Sequence, residues 1–163
     1  MPTAIADTSP LIAFSAIRRL DVLRSVFTAI TIPLAVAREL EAGDWKEAQV
    51  VLREIRSETW ISQECVESAA FALMPPANLG AGELEVIRLA SSSGLTALID
   101  DSDARKFATQ IGVSTVGSLG ILARAKSLGS IQAVRPLVEG MLGCGIYLGP
   151  ALVSSFLANQ KEL

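Results

Sequence analysis

Short apolar runs bounded by turn residues alternate along this chain with longer segments of helical period. TAIA (3–6) is predicted as a first strand, and SPLIAFSAIRRLDVLRSV (9–26) as one or two helices, with Ser9 as N-cap and Pro10 at the first helical position. AITI (29–32) reads as a second strand, followed by Pro33 and the helix LAVARELEAG, closed by Gly43. DWKEAQVVLREIRS (44–57) has the pattern of an amphipathic helix, WISQEC (60–65) that of a strand, and MPPANLGAG (74–82) that of a loop. Then come a helix at 83–93 (ELEVIRLASSS), a strand at 95–100 (LTALID), a helix at 102–112 ended by Gly112, and a strand at 113–117 (VSTVG). SLGILARAKSLG and IQAVRPLVEGML are predicted helices, GIYL a last strand and PALVSSFLANQ a last helix. The alternation predicts an α/β fold: a central, mainly parallel sheet flanked by helices, as one domain over residues 1–163.

Composition narrows the chemistry. Half of the 163 residues are hydrophobic, enough for a full core, yet no apolar run reaches the roughly 18 residues that span a bilayer. The start, MPTAIADTSP, has neither a basic n-region nor a cleavable apolar stretch, so a cytoplasmic protein is expected. Cys65 and Cys144 lack paired or metal-type spacing and are expected to be small buried hydrophobes. There is no histidine, which removes the commonest general base and any His-type zinc site. Net charge is −3, whereas simple nucleic-acid binders are basic. An acidic total is compatible with such a role when the acids gather at a metal site.

The acids have a pattern of their own. Asp7 directly follows the first strand, where it reads as a site residue or as a turn or cap residue. Glu39, three residues after Val36 and next to Leu40, falls on or beside the apolar stripe of its helix, a costly place for an unpaired carboxylate. Glu83 shares a face with Val86, Ile87 and Ala90, while Glu85 lies about 200° around the wheel and is expected in solvent. A charge at a helix N-terminus also accounts for Glu83. Asp100, Asp101 and Asp103 crowd behind the strand LTALID, and one of them suffices to cap the next helix. In a parallel sheet, strand ends and the starts of the following helices meet at one edge, where ligands bind. Carboxylates converging there repel one another, and a hard divalent cation relieves that cost.

ADTSPLI, VAREL, GAGELEVIRLA, LIDDSDAR and VGSLGILARAKSLGSI, in this order and over roughly residues 4–158, resemble the PIN-domain superfamily and its VapC-like group of prokaryotic proteins. The resemblance implies a PIN-like fold and an acidic cluster that binds Mg²⁺ or Mn²⁺ and cleaves RNA phosphodiesters. By motif, Asp7, Glu39, Glu83 and Asp101 match the catalytic acids, with Asp100 as a further metal ligand and Asp103 a weaker match. Where many relatives carry Thr or Ser in the strand before the fourth acid, this chain has Ile99. Thr8 and Ser9 match a small polar pair beside the first acid. Arg105 and Lys106, and further along Arg124 and Lys126, are candidates for RNA contact, or else solvated helix faces. The resemblance implies a metal-dependent ribonuclease, the toxin of a type II toxin–antitoxin pair; such toxins are usually neutralised by a small antitoxin protein and commonly form homodimers. The segments near 10–27 and 44–56 are candidates for such surfaces. A non-catalytic PIN-like module binding RNA or protein is the alternative. A phosphotransferase using Asp7 as nucleophile would need a second aspartate two residues on, which DTS lacks, and GAG at 80–82 is no phosphate loop.

Overall fold

The computed structural model describes residues 2–57, 59–67 and 71–163. Among them are five strands and nine helices: β1 (Thr3–Ala6), α1 (Thr8–Ala16), α2 (Leu20–Val26), β2 (Ala29–Pro33), α3 (Leu34–Ala42), α4 (Lys46–Ser57), β3 (Ile61–Glu64), α5 (Ala81–Ser93), β4 (Thr96–Leu98), α6 (Ser102–Gln110), β5 (Thr115–Val116), α7 (Ser118–Ser127), α8 (Arg135–Gly143) and α9 (Pro150–Asn159). The strands form one sheet in the order β3-β2-β1-β4-β5, and every pairing is parallel. Ile5 lies opposite Thr31 on one side and Ala97 on the other, so β1 is the central strand and its end lies beside that of β4.

Parallel strands covered on both faces read as continuous apolar runs, and the residues of β1, β2 and β4 obey this. Ala4, Ile5, Ala6, Ile30, Ile32, Ala97 and Leu98 are all buried. Helices pack over them through Leu11, Phe14, Leu40, Ile87, Phe107 and Ile121, each buried as well. Among the described residues, no helix is long and apolar enough to cross a membrane.

Several local expectations are corrected. The first helix starts at Thr8, with Asp7 in the N-cap position, so Ser9 and Pro10 lie inside its first turn. Proline is tolerated there because first-turn N–H groups have no partner within the helix. The helix predicted from residue 83 starts at Ala81, since the Gly80 N–H donates to Glu83 Oε2 at 2.8 Å and closes the first turn. The helix predicted over 131–142 starts only at Arg135. GIYL is not a strand: the Ile146 N–H turns back to the Met141 carbonyl at 3.0 Å, closing α8 instead of joining the sheet. Cys65 and Cys144 are free and exposed, not buried.

Lys126 is half-buried and faces the chain's own end. Its Nζ donates to the Gln160 carbonyl and to Glu162 Oε1, and Glu162 in turn accepts from the Val134 and Arg135 N–H groups that open α8. Lys126 and these N–H groups hold the Glu162 carboxyl well below the usual carboxylate range. This clasp ties α7, α8 and the segment after α9 together and engages the Lys126 ammonium.

Candidate active site

Asp7 is placed by the sheet itself. Its N–H donates to the Leu98 carbonyl at 3.0 Å, which ties the end of β1 to the end of β4. Only 4% of the residue is exposed. Burial pushes its carboxyl up to about 7, the charges of Glu83, Glu39 and Asp100 add to the rise, and the Thr8 N–H partly offsets it. An isolated carboxylate in such a place stays neutral unless a positive charge arrives.

Glu39 reaches the same place from α3. The residue is largely exposed, not sunk in its helix stripe, because its carboxylate leaves the core and lies along the start of α5. Thr8 Oγ1–H donates to Glu39 Oε2 at 2.7 Å. The approach depends on Gly82: a Cβ there would stand 2.7 Å from Glu39 Oε1. Glu83 is raised above the ordinary glutamate value by burial first, and further by Asp101 and Glu39, against the lowering effect of the Gly80 N–H.

Asp100 and Asp101 part ways after β4. Asp100 is clamped by Ser118 at the head of α7: Oδ1 accepts from the Ser118 N–H and Oδ2 from its hydroxyl, both at 2.6 Å. Gly117 leaves the room, since a Cβ there would stand 2.9 Å from Asp100 Oδ1 and 3.2 Å from Arg105 Nη1. Asp101 caps α6 through Oδ1, which accepts from the Asp103 and Ala104 N–H groups. Asp103 turns outward to Asn78 and Lys106, and the Lys106 ammonium lowers its carboxyl from the ordinary value. It stands outside the cluster. Lys106 is exposed and spent partly on that pair.

Asp7, Glu39, Glu83, Asp100 and Asp101 therefore come within electrostatic reach of one another from four separate parts of the chain. A cavity of about 1040 Å³ opens at Glu83, Asp100, Asp101, Thr8 and Ser9. A polar groove of about 480 Å³, lined by Lys106, Thr109 and Gln110, meets it at Ser102, Arg105 and Thr115. Arg105 stands at the junction, and its guanidinium borders the same space at Gly117 as Asp100 does.

The donor set is all oxygen, which suits a hard divalent cation rather than a soft metal. As the side chains stand, no group of three or more His, Cys, Asp or Glu among the described residues is arranged to hold a metal ion. The acids bond to Ser118, Thr8, Gly80 and the first turn of α6 instead. The chemistry of the set fits such an ion, and side-chain rotation would be needed to complete the coordination.

Three participants escape the sequence. Ser118, fully buried, is part of the site although nothing but its place after a short strand and Gly117 signals it. Gly82 matters through what it leaves empty. Glu85 is not in solvent: it is half-buried and accepts from the Ala35 N–H at 2.9 Å, capping α3 and fixing it against α5.

A parallel α/β sheet with an acidic cluster at the ends of its inner strands, served by no histidine, defines the architecture of a PIN-type domain. The chain belongs to the PIN-domain family DUF3368, whose model matches residues 3–162. Among solved structures it is similar to a PilT N-terminus domain protein from the hyperthermophilic archaeon Sulfolobus solfataricus. That match has a TM-score of 0.52 and 18% identity, and covers 74% of this chain and 91% of the other. This likeness shows the shared fold. A comparison with curated proteins finds no match. PIN domains as a class are nucleases and typically use divalent metals.

Proposed function

We propose that this protein is a divalent-metal-dependent endoribonuclease that hydrolyses RNA phosphodiester bonds. The observation that carries the proposal is Asp7: a buried carboxyl, raised to about 7, with Glu39, Glu83 and Asp100 around it. Gathering carboxylates around a buried one costs a fold free energy, so the cluster is explained by a positively charged guest. Asp7, Glu39, Glu83, Asp100 and Asp101 are the residues that would hold Mg²⁺ or Mn²⁺. The chemistry such an ion supplies is polarisation of a phosphoryl oxygen and acidification of water.

The chain's own groups do the rest. Thr8 holds Glu39 Oε2 toward the cluster, and Ser118 fixes both oxygens of Asp100. Arg105, where the cavity meets the polar groove, offers a guanidinium to a flanking phosphate, and Lys106 adds a second cation along that groove. Ser9, exposed at the cavity wall, offers a hydroxyl to the same strand. The proposal extends to the role of toxin in a type II toxin–antitoxin pair, with a small antitoxin protein and a homodimeric state. That extension is supported by the family resemblance of the motifs alone.

One observation favours a second reading, a non-catalytic PIN module that binds RNA or protein: the acids' present hydrogen bonds leave no ready-made metal cage. Cleavage of a panel of structured RNAs in Mn²⁺, Mg²⁺ or EDTA decides between the two, with wild type set against Asp101→Asn. Asparagine still caps a helix, so the variant folds. Metal-dependent cutting that disappears in the variant supports the nuclease. Neither cutting nor Mn²⁺ binding by wild type leaves the binding module.

A further inference from the structure

Helix α3, which carries Glu39, begins without a cap of its own. Its N-cap position is Pro33, whose ring has no acceptor, and no acidic residue stands in its first turn. The free N–H groups at a helix start need an acceptor, and a negative charge there is favourable. Glu85 of α5 supplies both from outside. Its Oε2 accepts from the Ala35 N–H at 2.9 Å, and the side chain is half-buried between the two helices.

The place of this bond matters for the acids. Ala35 and Glu39 are four residues apart in α3, and Gly82 and Glu85 are three apart in α5, so each pair lies on one side of its helix. The helices therefore meet at two points a single turn apart. At one, Glu85 holds the start of α3. At the other, the Glu39 carboxylate lies against Gly82, where a Cβ would come within 2.7 Å of Oε1. Glu39 is exposed, so core packing does not fix its side chain. Beyond the 2.7 Å bond from the Thr8 hydroxyl, its position depends on where α3 stands along α5. Val36 and Leu40, both fully buried, oppose rotation of α3 about its own axis. The Glu85 bond opposes sliding along α5 and fraying of the first turn. We infer that Glu85 is a positioning residue that, by capping α3 from α5, sets the Glu39 carboxylate at the acidic cluster. The inference rests on the ribonuclease reading and adds to it a residue outside the cluster on which the cluster's grip on a metal depends.

The test pairs Glu85→Ala with Glu85→Gln, whose amide oxygen still accepts from Ala35. Alanine keeps α5 helical. In the metal-free protein at a single pH, carbon NMR reads the Glu39 carboxyl and the Thr8 methyl. Both resonances should move in Glu85→Ala and stay near their wild-type positions in Glu85→Gln. Mn²⁺ titration calorimetry and RNA cleavage should follow the same order. Glu85→Ala should weaken Mn²⁺ binding and lower kcat, each on the order of tenfold, with KM for RNA nearly unchanged, and Glu85→Gln should recover most of both. A mutant cycle separates positioning from support of the fold. In a Glu39→Gln background, Glu85→Ala should bring no further loss of Mn²⁺ affinity, although it still lowers the unfolding temperature. Unmoved resonances in Glu85→Ala overturn the inference, and so does an equal loss of affinity in both backgrounds. Should Glu85→Ala not fold, Glu85→Asp, one methylene too short to reach Ala35, is read in its place by the same criteria. Resonances that move as expected in a protein that binds no Mn²⁺ and cuts no RNA keep the positioning role and remove the nuclease.

Discussion

Gly82→Ala offers a perturbation that touches the site without touching the fold. A Cβ at this position would meet the whole Glu39 carboxylate, with Oε1 at 2.7 Å and Cδ and Oε2 at 3.1 Å. Ordinary contact begins at 3.4 Å, so the carboxylate must withdraw by roughly 0.7 Å, which stretches or breaks its 2.7 Å bond from Thr8. The withdrawal is inexpensive in stability, because Glu39 is exposed and its side chain is flexible. Alanine in place of glycine inside a helix contributes about 0.5–1 kcal/mol in the other direction. The variant should therefore unfold at the same temperature as wild type or slightly above it. Catalysis should fare differently, since a misplacement of about 1 Å in a reacting constellation costs on the order of 100-fold in rate. RNA cleavage in saturating Mn²⁺, beside thermal unfolding of the same samples, measures both. Wild-type activity in a well-folded Gly82→Ala protein would refute the placement of Glu39 in the reacting cluster. A collapse of stability would refute the argument that only a flexible side chain stands in the way.

Asp7 makes the metal-free protein pH-sensitive. Its folded value of about 7 lies above the ordinary 3.8, so the group's contribution is fully present below about pH 4 and is lost as pH rises through 7. The span corresponds to roughly 4 kcal/mol. Asp7→Asn should raise the unfolding midpoint in EDTA above neutral pH and flatten its dependence between mildly acidic and alkaline buffer; parallel curves for the two proteins would contradict this. Ser118→Ala removes the 2.6 Å hydroxyl bond to Asp100 Oδ2 while the backbone bond to Oδ1 stays. It should cost about 1–3 kcal/mol of stability and slow cleavage, read by denaturant unfolding and RNA turnover. No change in either measurement would mean that the clamp does not hold Asp100.

What the sequence reveals of this protein follows the range of the forces involved. β1, β2 and β4 are legible because strands buried on both faces are apolar at nearly every position, threonine being the one polar residue in them. The acids beyond them are legible because strand ends share an edge. Glu85 is misjudged from its helix alone. The wheel places it opposite Glu83, but the far side of α5 at that point meets the N-terminus of α3 rather than water. GIYL shows the ambiguity of a short apolar run, which serves a strand or a packed loop equally well. Cys65 and Cys144 carry no local periodicity to place them, and Ser118 enters the site only once β4 and β5 have brought α7 beside Asp100. The motif matches Glu39 to the acids, and the geometry brings its carboxylate beside them through the opening at Gly82 rather than by burial on its own helix.

The parallel order of the sheet has a consequence for how this molecule comes into being. Every strand pairing joins residues far apart in the chain, as Ala4 with Thr96 or Ile30 with Ile61, and such topologies pay loop-closure entropy before any contact rewards them. The five acids arrive from four separate parts of that topology, Asp100 and Asp101 together after β4. Asp7, Glu83 and Asp100 come together only once β1 has paired with β4. The acidic cluster therefore forms with the pairing of β1, β2 and β4 and is lost when that pairing opens.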